Sequence, residues 1–306
     1  MGCQLTNNTS FYSTLIPSSS PSCVSVSLCI FLLISSSVDG GGIQMKTSGF
    51  VLNVWDSSFL NCSCGLNTGG AIYFKDSLGK TTIVSTCAQH CTAAAGSFFF
   101  INSNSDSYSN MNSFSYCSKD ISLANKYNSW YHEGNVKIEN LNCSKNACGY
   151  QISGLLFWYC NNIEVLYSTL AQNQAGTYVI IDAESITGEN KMNNINFISN
   201  SQLSTTFALI LFLLNSNPGT ISHSVFKLNQ NTIFHAQSTS LTVSFSRFDT
   251  LSGNAQTVNC VTNVDPTIIP INVVYDQMCQ RIIAKTSILT RTPRILFVLQ
   301  ALTFND

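Results

Sequence analysis

Charge is what this sequence has least of. Of 306 residues only 14 are basic and 15 acidic, 9% in all, and the formal net charge is −1. An ordinary globular chain carries about 25%. With no Lys/Arg patch to release counterions from a phosphate backbone, the chain does not read as a nucleic-acid binder. Without richness in Ala, Glu, Lys, Leu and Arg it does not read as a coiled coil or helical bundle. Aromatics at 11% argue against a charge-dense disordered tail. Long apolar runs are missing too: the most apolar stretch, residues 23–34, falls short of the about 20 residues that span a bilayer. There is no Gly-x-x-x-x-Gly-Lys-Ser/Thr loop, no Gly-x-Gly-x-x-Gly fingerprint and no Gly-x-Ser-x-Gly elbow.

What stands in place of charge is hydroxyl and amide. Ser, Thr and Asn supply 101 of the 306 residues, beside a 44% hydrophobic share. Such a surface on a chain of good β-formers points to an all-β protein.

Thirteen cysteines are present, an odd number, so at least one thiol stays free or pairs outside the chain. They are disulfide partners or small buried hydrophobes. Sequons fall at Asn7, Asn8, Asn61 and Asn142; together with many Cys they suit a secreted or cell-surface chain. Residues 23–34 have the length of a signal h-region, with Ser35-Ser36-Ser37 following, but no Lys or Arg precedes them. The alternative is that they form a strand of a first repeat.

Repeats are the main signal. Gly40-Gly41-Gly42-Ile43 returns as Gly69-Gly70-Ala71-Ile72 and, more weakly, at Ala95-Gly96-Ser97-Phe98. Short apolar strands follow at similar intervals, at Tyr150–Ile152, Tyr178–Ile181, Phe207–Leu211, Ile233–Phe234 and Val258–Cys260. A second series lies between them: Val51-Leu52-Asn53-Val54 leads to Phe59, Val136-Lys137-Ile138 to Leu141-Asn142-Cys143, Ile221 to Phe226 and Leu241-Thr242-Val243 to Phe248. One unit of two or three strands cannot bury its apolar face, but stacked units can. The expected architecture is a right-handed parallel β-helix of about eight to nine coils, stacked about 4.8 Å apart. Stacking places equivalent side chains over one another, so rows of like charge would repel, whereas rows of Asn, Ser or Thr hydrogen-bond. The low charge follows from the fold. The expected organisation is an irregular lead over 1–22, repeats over 23–264, and a cap or extension over 265–306, where prolines and four basic residues gather.

The unit Ser58-Phe59-Leu60-Asn61-Cys62 followed by Gly69-Gly70-Ala71-Ile72-Tyr73 resembles the repeats of polymorphic outer-membrane-type proteins, and of similar surface proteins in parasitic protists, which carry Phe-x-x-Asn and Gly-Gly-Ala-Ile. The resemblance extends over residues 23–262, with its motifs in two units. Here Asn stands one place early, and later units lose Gly-Gly-Ala-Ile. The resemblance implies a right-handed β-helix exposed at a cell surface for adhesion or host contact. Its full-length members carry a signal peptide and a C-terminal anchor, so membrane association through a missing or degenerate anchor is part of what it implies, as is a truncated copy without function.

Right-handed β-helices also host polysaccharide lyases and glycoside hydrolases. A hydrolase needs two carboxylates about 5–10 Å apart, and Asp182 and Glu184, two apart on one strand, share a face. The competing reading makes 182–190 a solvated turn. Arg247, the sole arginine before Arg281, reads as an exposed strand residue. Cys87-x-x-x-Cys91 with His90, and Cys62-x-Cys64, are the metal candidates, against which buried or disulfide-linked cysteines are preferred. His132, His223 and His235 read as surface residues, and adjacency sends His223 and Ser224 to opposite faces. No cofactor is expected. Trp130, Tyr131 and Trp158 are the residues that could stack on a ligand, the alternative being core packing. The expectation is a non-enzymatic extracellular or cell-surface binder of glycans or proteins, with a polysaccharide-active enzyme as the competing class. Several Asp/Glu converging with Lys/Arg in one groove would favour the enzyme, and scattered, unpartnered carboxylates the binder.

Overall fold

A computed structural model describes residues 3–5, 10–11, 13–16, 23–46, 49–117, 127–149, 152–176, 179–203, 209–230 and 234–270. Among these there is no helix. Short strands stack in parallel into three long sheets of 11, 10 and 8 strands and one short sheet of 3. Each coil contributes one strand to sheet 1, turns, contributes one to sheet 2, turns, and contributes one to sheet 3. One coil thus runs Val51–Trp55, Ser58–Leu60, Ile72–Lys75, and the next begins at Lys80–Val84. The eight strands of sheet 3 mark eight coils with all three strands. This is the parallel β-solenoid expected from the repeats.

Alternation decides which side chains fill the interior. In sheet 1, Val54, Ile83, Ser109, Ile138, Val165, Met192, Ile221 and Val243 stand in register and point inward. In sheet 2 the inward row is Phe31, Phe59, Ala88, Phe114, Cys143, Leu170, Phe197, Phe226 and Phe248. Where phenylalanines are neighbours their rings stack face to face, 4.6 Å apart at Phe31–Phe59 and 4.5 Å at Phe226–Phe248. The parallel coils impose this offset stacking, and burial of each ring supplies the driving force.

The corners repeat as strictly as the strands. Between sheets 1 and 2 each coil places one residue in the left-handed region: Leu28, Asp56, Ser85, Met111, Asn140, Tyr167, Asn194, His223 and Phe245, with φ from 46° to 56°. A second such residue closes sheet 2, at Leu33, Asn61, His90, Tyr116, Lys145, Gln172, Ser199 and Leu228. Their side chains point outward, which is why Leu28, Leu33, Leu228 and Phe245 are exposed. At the turn into sheet 3 glycine is required: Gly69 has φ 78°, and a Cβ there would meet the Ile72 carbonyl.

One ladder explains the Asn content. Three residues after the inward position of sheet 2 stand Cys62, Cys91 and Cys117, then Asn146, Asn173, Asn200 and Asn229. Each reaches back to the sheet 2 backbone of the preceding coil. The Cys62 thiol donates to the Phe31 carbonyl (3.5 Å), that of Cys91 to Phe59 (3.5 Å) and that of Cys117 to Ala88 (4.0 Å). The amides of Asn146, Asn173, Asn200 and Asn229 donate to Phe114, Cys143, Leu170 and Phe197 at 2.8–3.2 Å. Each Asn oxygen also accepts the backbone N–H of the ladder residue one coil earlier, as in Asn146 N to Asn173 Oδ1 (3.1 Å). The departure from Phe-x-x-Asn in the early units is thus a substitution within one position: Cys62 occupies the ladder site, and Asn61 is the outward corner residue beside it.

Two expectations need correction. Residues 1–22 are not simply an irregular lead, because Cys3–Leu5 pairs with Cys23–Ser27 and Ser10–Phe11 with Ile30–Leu32. For residues 23–34 the structure takes the strand alternative: they are built into a coil, with Val24, Val26 and Phe31 in the core. Val258 belongs to the last strand of sheet 1, Gln256–Val258, rather than to the series of sheet 3. After Asp265, which pairs with Lys227 at 2.5 Å, the chain runs back along sheet 2, where Ile269 exchanges two hydrogen bonds with Asn196. Residues 271–306 of the expected cap lie outside the described residues.

Candidate functional site

The outer face of sheet 3 gathers the aromatic candidates. Its strands Phe99–Asn102, Tyr127–His132, Ile152–Trp158 and Ile181–Glu184 are in register, so two outward rows form. One runs Tyr73, Phe100, Trp130, Leu156, Asp182; the other Lys75, Asn102, His132, Trp158, Glu184. Tyr73 stacks on Phe100 at 5.1 Å, Phe100 meets Trp130 edge-on at 4.7 Å, and Trp130 lies 5.7 Å from Trp158. Trp158 stacks on Tyr159 at 5.3 Å, and His132 sits edge-on to Trp158 at 5.4 Å. Trp130 and Trp158 are half-buried against a small outer cluster of Ile152, Leu156 and Val179, while Tyr159, a left-handed corner residue, is 51% exposed. The indole Nε1 of Trp130 has no partner. Burial holds His132 below the ordinary imidazole range, despite Glu133. Tyr131 does not belong to this face. Alternation turns it inward, 1% exposed, parallel to Phe157 at 5.7 Å and edge-on to Phe99.

Asp182 and Glu184 share the same outward face, on strand Ile181–Glu184 rather than a solvated turn. Asp182 is 2% exposed and its Oδ1 has no partner. Burial first, then the charge and hydrogen bond of Glu184, hold its carboxyl well above the ordinary range. Asp182 therefore holds its proton more readily than an ordinary carboxyl does. In register the pair's neighbours are Leu156 and Trp158 on one side and Phe212 and Leu214 on the other.

The carboxylates that converge with lysines are elsewhere, on the outer face of sheet 1, and the sequence reading missed them. Strands Asp106–Asn110, Asn135–Glu139, Asn162–Leu166 and Asn190–Asn193 stack in register. They leave an open groove of about 400 Å³ lined by Asp106, Tyr108, Asn135, Lys137, Asn162, Glu164, Glu189 and Lys191. One wall is an amide relay, Asn135 to Asp106 at 3.1 Å and Asn162 to Asn135 at 2.7 Å. The other stacks Tyr108, Lys137, Glu164 and Lys191, with Lys137 bound to Glu139 at 3.0 Å and Glu164 at 3.3 Å, Lys191 to Glu189 at 2.7 Å, and the Tyr108 hydroxyl donating to Glu139 at 2.7 Å. Charge alternates in sign along the stack, as stacking demands. The signal was there: Lys137, Glu164 and Lys191 recur every 27 residues.

This groove meets the condition set for an enzyme, and three ionisable groups at it are held towards their charged forms. Hydrogen bonds from Asn135 and Lys80 hold Asp106 below the ordinary carboxylate range. Burial opposes the same shift at Glu139, and Tyr108 and Lys137 outweigh it. Glu139 and Glu164 hold Lys137 above its ordinary range. These groups are locked in their charged forms, whereas a general acid needs a raised carboxyl. Among the described residues the strongly raised carboxyl is Asp182, which lies on a different sheet.

The remaining candidates resolve individually. Asn7 and Asn8 lie outside the described residues. Asn61 is an exposed corner, open to a glycan. Asn142 is not: it is buried, and its amide donates to Ser113 at 3.1 Å. Among the described residues Cys87 is disulfide-bonded, whereas Cys62, Cys64, Cys91, Cys117, Cys143 and Cys160 are buried free thiols. Within the ladder, burial keeps Cys117 well above the ordinary thiol range. Cys64 is pushed up to about 12 by burial. His90 faces outward against Tyr116, away from Cys91. His223 stacks on Phe245 at 5.2 Å while Ser224 is buried, so they do face opposite ways. Arg247 is exposed and His235 half-buried. Among the described residues no three His, Cys, Asp or Glu side chains are placed to share a metal ion. Compared with family models, with characterised proteins and with solved structures, the chain matches none.

Proposed function

We propose that this protein is a non-enzymatic binding solenoid of a cell surface or extracellular space, and that its ligand is a glycan. The observation that carries this is the aromatic surface of sheet 3, where Trp130, Trp158 and Tyr159 present ring faces and edges at one site. Sugar rings have an apolar face that packs on such rings while their hydroxyls find polar groups at the rim. Here the rim holds the Glu184 and Glu133 carboxylates. A rigid stacked scaffold holds these rings without an ordering cost on binding. The partly exposed Trp158 and exposed Tyr159 are the expected anchors.

A glycan array probed with purified protein tests this. Binding is expected, and Trp158→Ala should weaken it about 5- to 150-fold, taking the about 1–3 kcal/mol that a stacking aromatic contributes when nucleic-acid bases stack on it. Binding unchanged in Trp158→Ala would refute the assignment. Surface labelling of intact source cells tests the location; exclusively internal protein would refute that part.

The competing reading is a polysaccharide-active enzyme, favoured by the convergence of Asp106, Glu164 and Glu189 with Lys137 and Lys191 in one groove. Cleavage of a polysaccharide by the purified protein, abolished by Asp182→Asn or Glu164→Gln, would establish it in place of the binder.

A further inference from the structure

We propose that the groove on sheet 1 is a second, separate binding site, and that it takes a neutral linear oligosaccharide lying along the solenoid axis. Its shape comes first. The floor is strand backbone at Ser107, Val136 and Ile163, whose side chains turn away from the groove. The walls are the outward rows on either side, so the long axis runs across successive coils rather than along a strand. From Asp106 to Lys191 the groove crosses four coils, about 14 Å at the interstrand spacing. An extended chain fits this; a compact small molecule would leave most of it unused.

Charge selects the ligand class. Three lysines, Lys80, Lys137 and Lys191, stand against four carboxylates, Asp106, Glu139, Glu164 and Glu189, and each lysine is already paired. A polyanion would have to break those pairs beside remaining carboxylates, and a polycation would meet the lysines. A hydroxylated neutral chain breaks none. Its hydroxyls can donate to Glu164 and Glu189 and accept from Lys137 and Lys191 on coordination positions those ions have left. Such charge-assisted hydrogen bonds are the stronger kind. The amide relay of Asn135 and Asn162 fixes the polar wall on the other side, and Tyr108 offers a ring at one end. Because the ions already hold one another in place, little side-chain ordering is lost when a ligand arrives. This site stands independently of the aromatic surface on sheet 3.

Titration of the full chain with chitohexaose, cellohexaose and a galacturonate hexamer, read by calorimetry, tests it. Amide hydrogen exchange over Asp106–Asn110, Asn135–Glu139 and Asn162–Leu166 locates the bound chain. Expected are binding of a neutral hexamer, slowed exchange in those three strands, and loss of affinity of about tenfold or more in Tyr108→Ala and Lys137→Ala, with Trp158→Ala leaving the protection of those strands intact. Circular dichroism of the two variants should match the parent, since both side chains are at the surface. Three results overturn the proposal: no hexamer protects these strands, the galacturonate hexamer binds more tightly than the neutral ones, or Lys137→Ala binds as the parent does.

Discussion

Replacing Asn173 by alanine should damage the fold more than any surface change. Asn173 is fully buried at the corner after sheet 2. Its Oδ1 accepts the Asn146 backbone N–H at 3.1 Å and the Asn146 side-chain amide at 3.1 Å, and its Nδ2 donates to the Cys143 carbonyl at 2.9 Å. Alanine strands the Asn146 N–H and the Cys143 C=O in a corner closed to solvent. An unsatisfied buried group costs about 1–3 kcal/mol, so the pair should cost about 2–6 kcal/mol. Cysteine at the same place should cost about half as much. A thiol still donates to the facing carbonyl, as Cys91 does to Phe59, but it accepts poorly. Urea unfolding gives the total. Because stacked repeats couple mainly to their neighbours, exchange of the Asn146 amide reads the local effect and should rise in Asn173→Ala. A variant within about 0.5 kcal/mol of the parent, with the Asn146 amide equally protected, would refute the ladder as a source of stability.

Phe197, stacked on Phe226 at 4.9 Å and aligned with Leu170, should cost about 3–5 kcal/mol as alanine and under about 1.5 kcal/mol as leucine, measured by urea unfolding; equal losses would show that the stack tolerates any shape. Asp182 sets a pH dependence. Its folded carboxyl binds a proton more tightly than the unfolded chain does, so its contribution is fully present at acid pH and falls as pH rises through the raised value. Asp182→Asn should therefore be more stable than the parent at neutral pH and should flatten this decline, seen as thermal midpoints over a pH series; a parent that gains stability over the same rise would contradict the assignment.

Much of the fold was legible because the solenoid writes itself into the sequence once per coil. The Gly-Gly-Ala-Ile and Phe59 positions mark the strands of sheets 3 and 2, and the Val51–Val54 alternation marks sheet 1. The corner ladder was less legible. Cys and Asn share it, and they look unrelated until stacking shows Cys91 and Asn173 donating to equivalent carbonyls. The outer surfaces were least legible. Tyr131 and Trp130 are neighbours in sequence, and a single step of the pleat sends one into the core and the other outward. Asn142 carries a sequon, yet its backbone places it in a strand where its amide is already used. The charged groove required residues 27 apart to be read as one column, a relation that single-residue scanning for acid–base pairs does not test.

The most direct test of a binding solenoid without catalysis is one long incubation of purified protein with the oligosaccharide that it retains, followed by mass analysis of the sugar and titration of the protein. The sugar should be recovered at its original length, and the protein should remain saturable with the same affinity. Shortened or unsaturated products, accumulating in proportion to protein and lost on Asp182→Asn or Glu164→Gln, would contradict the account.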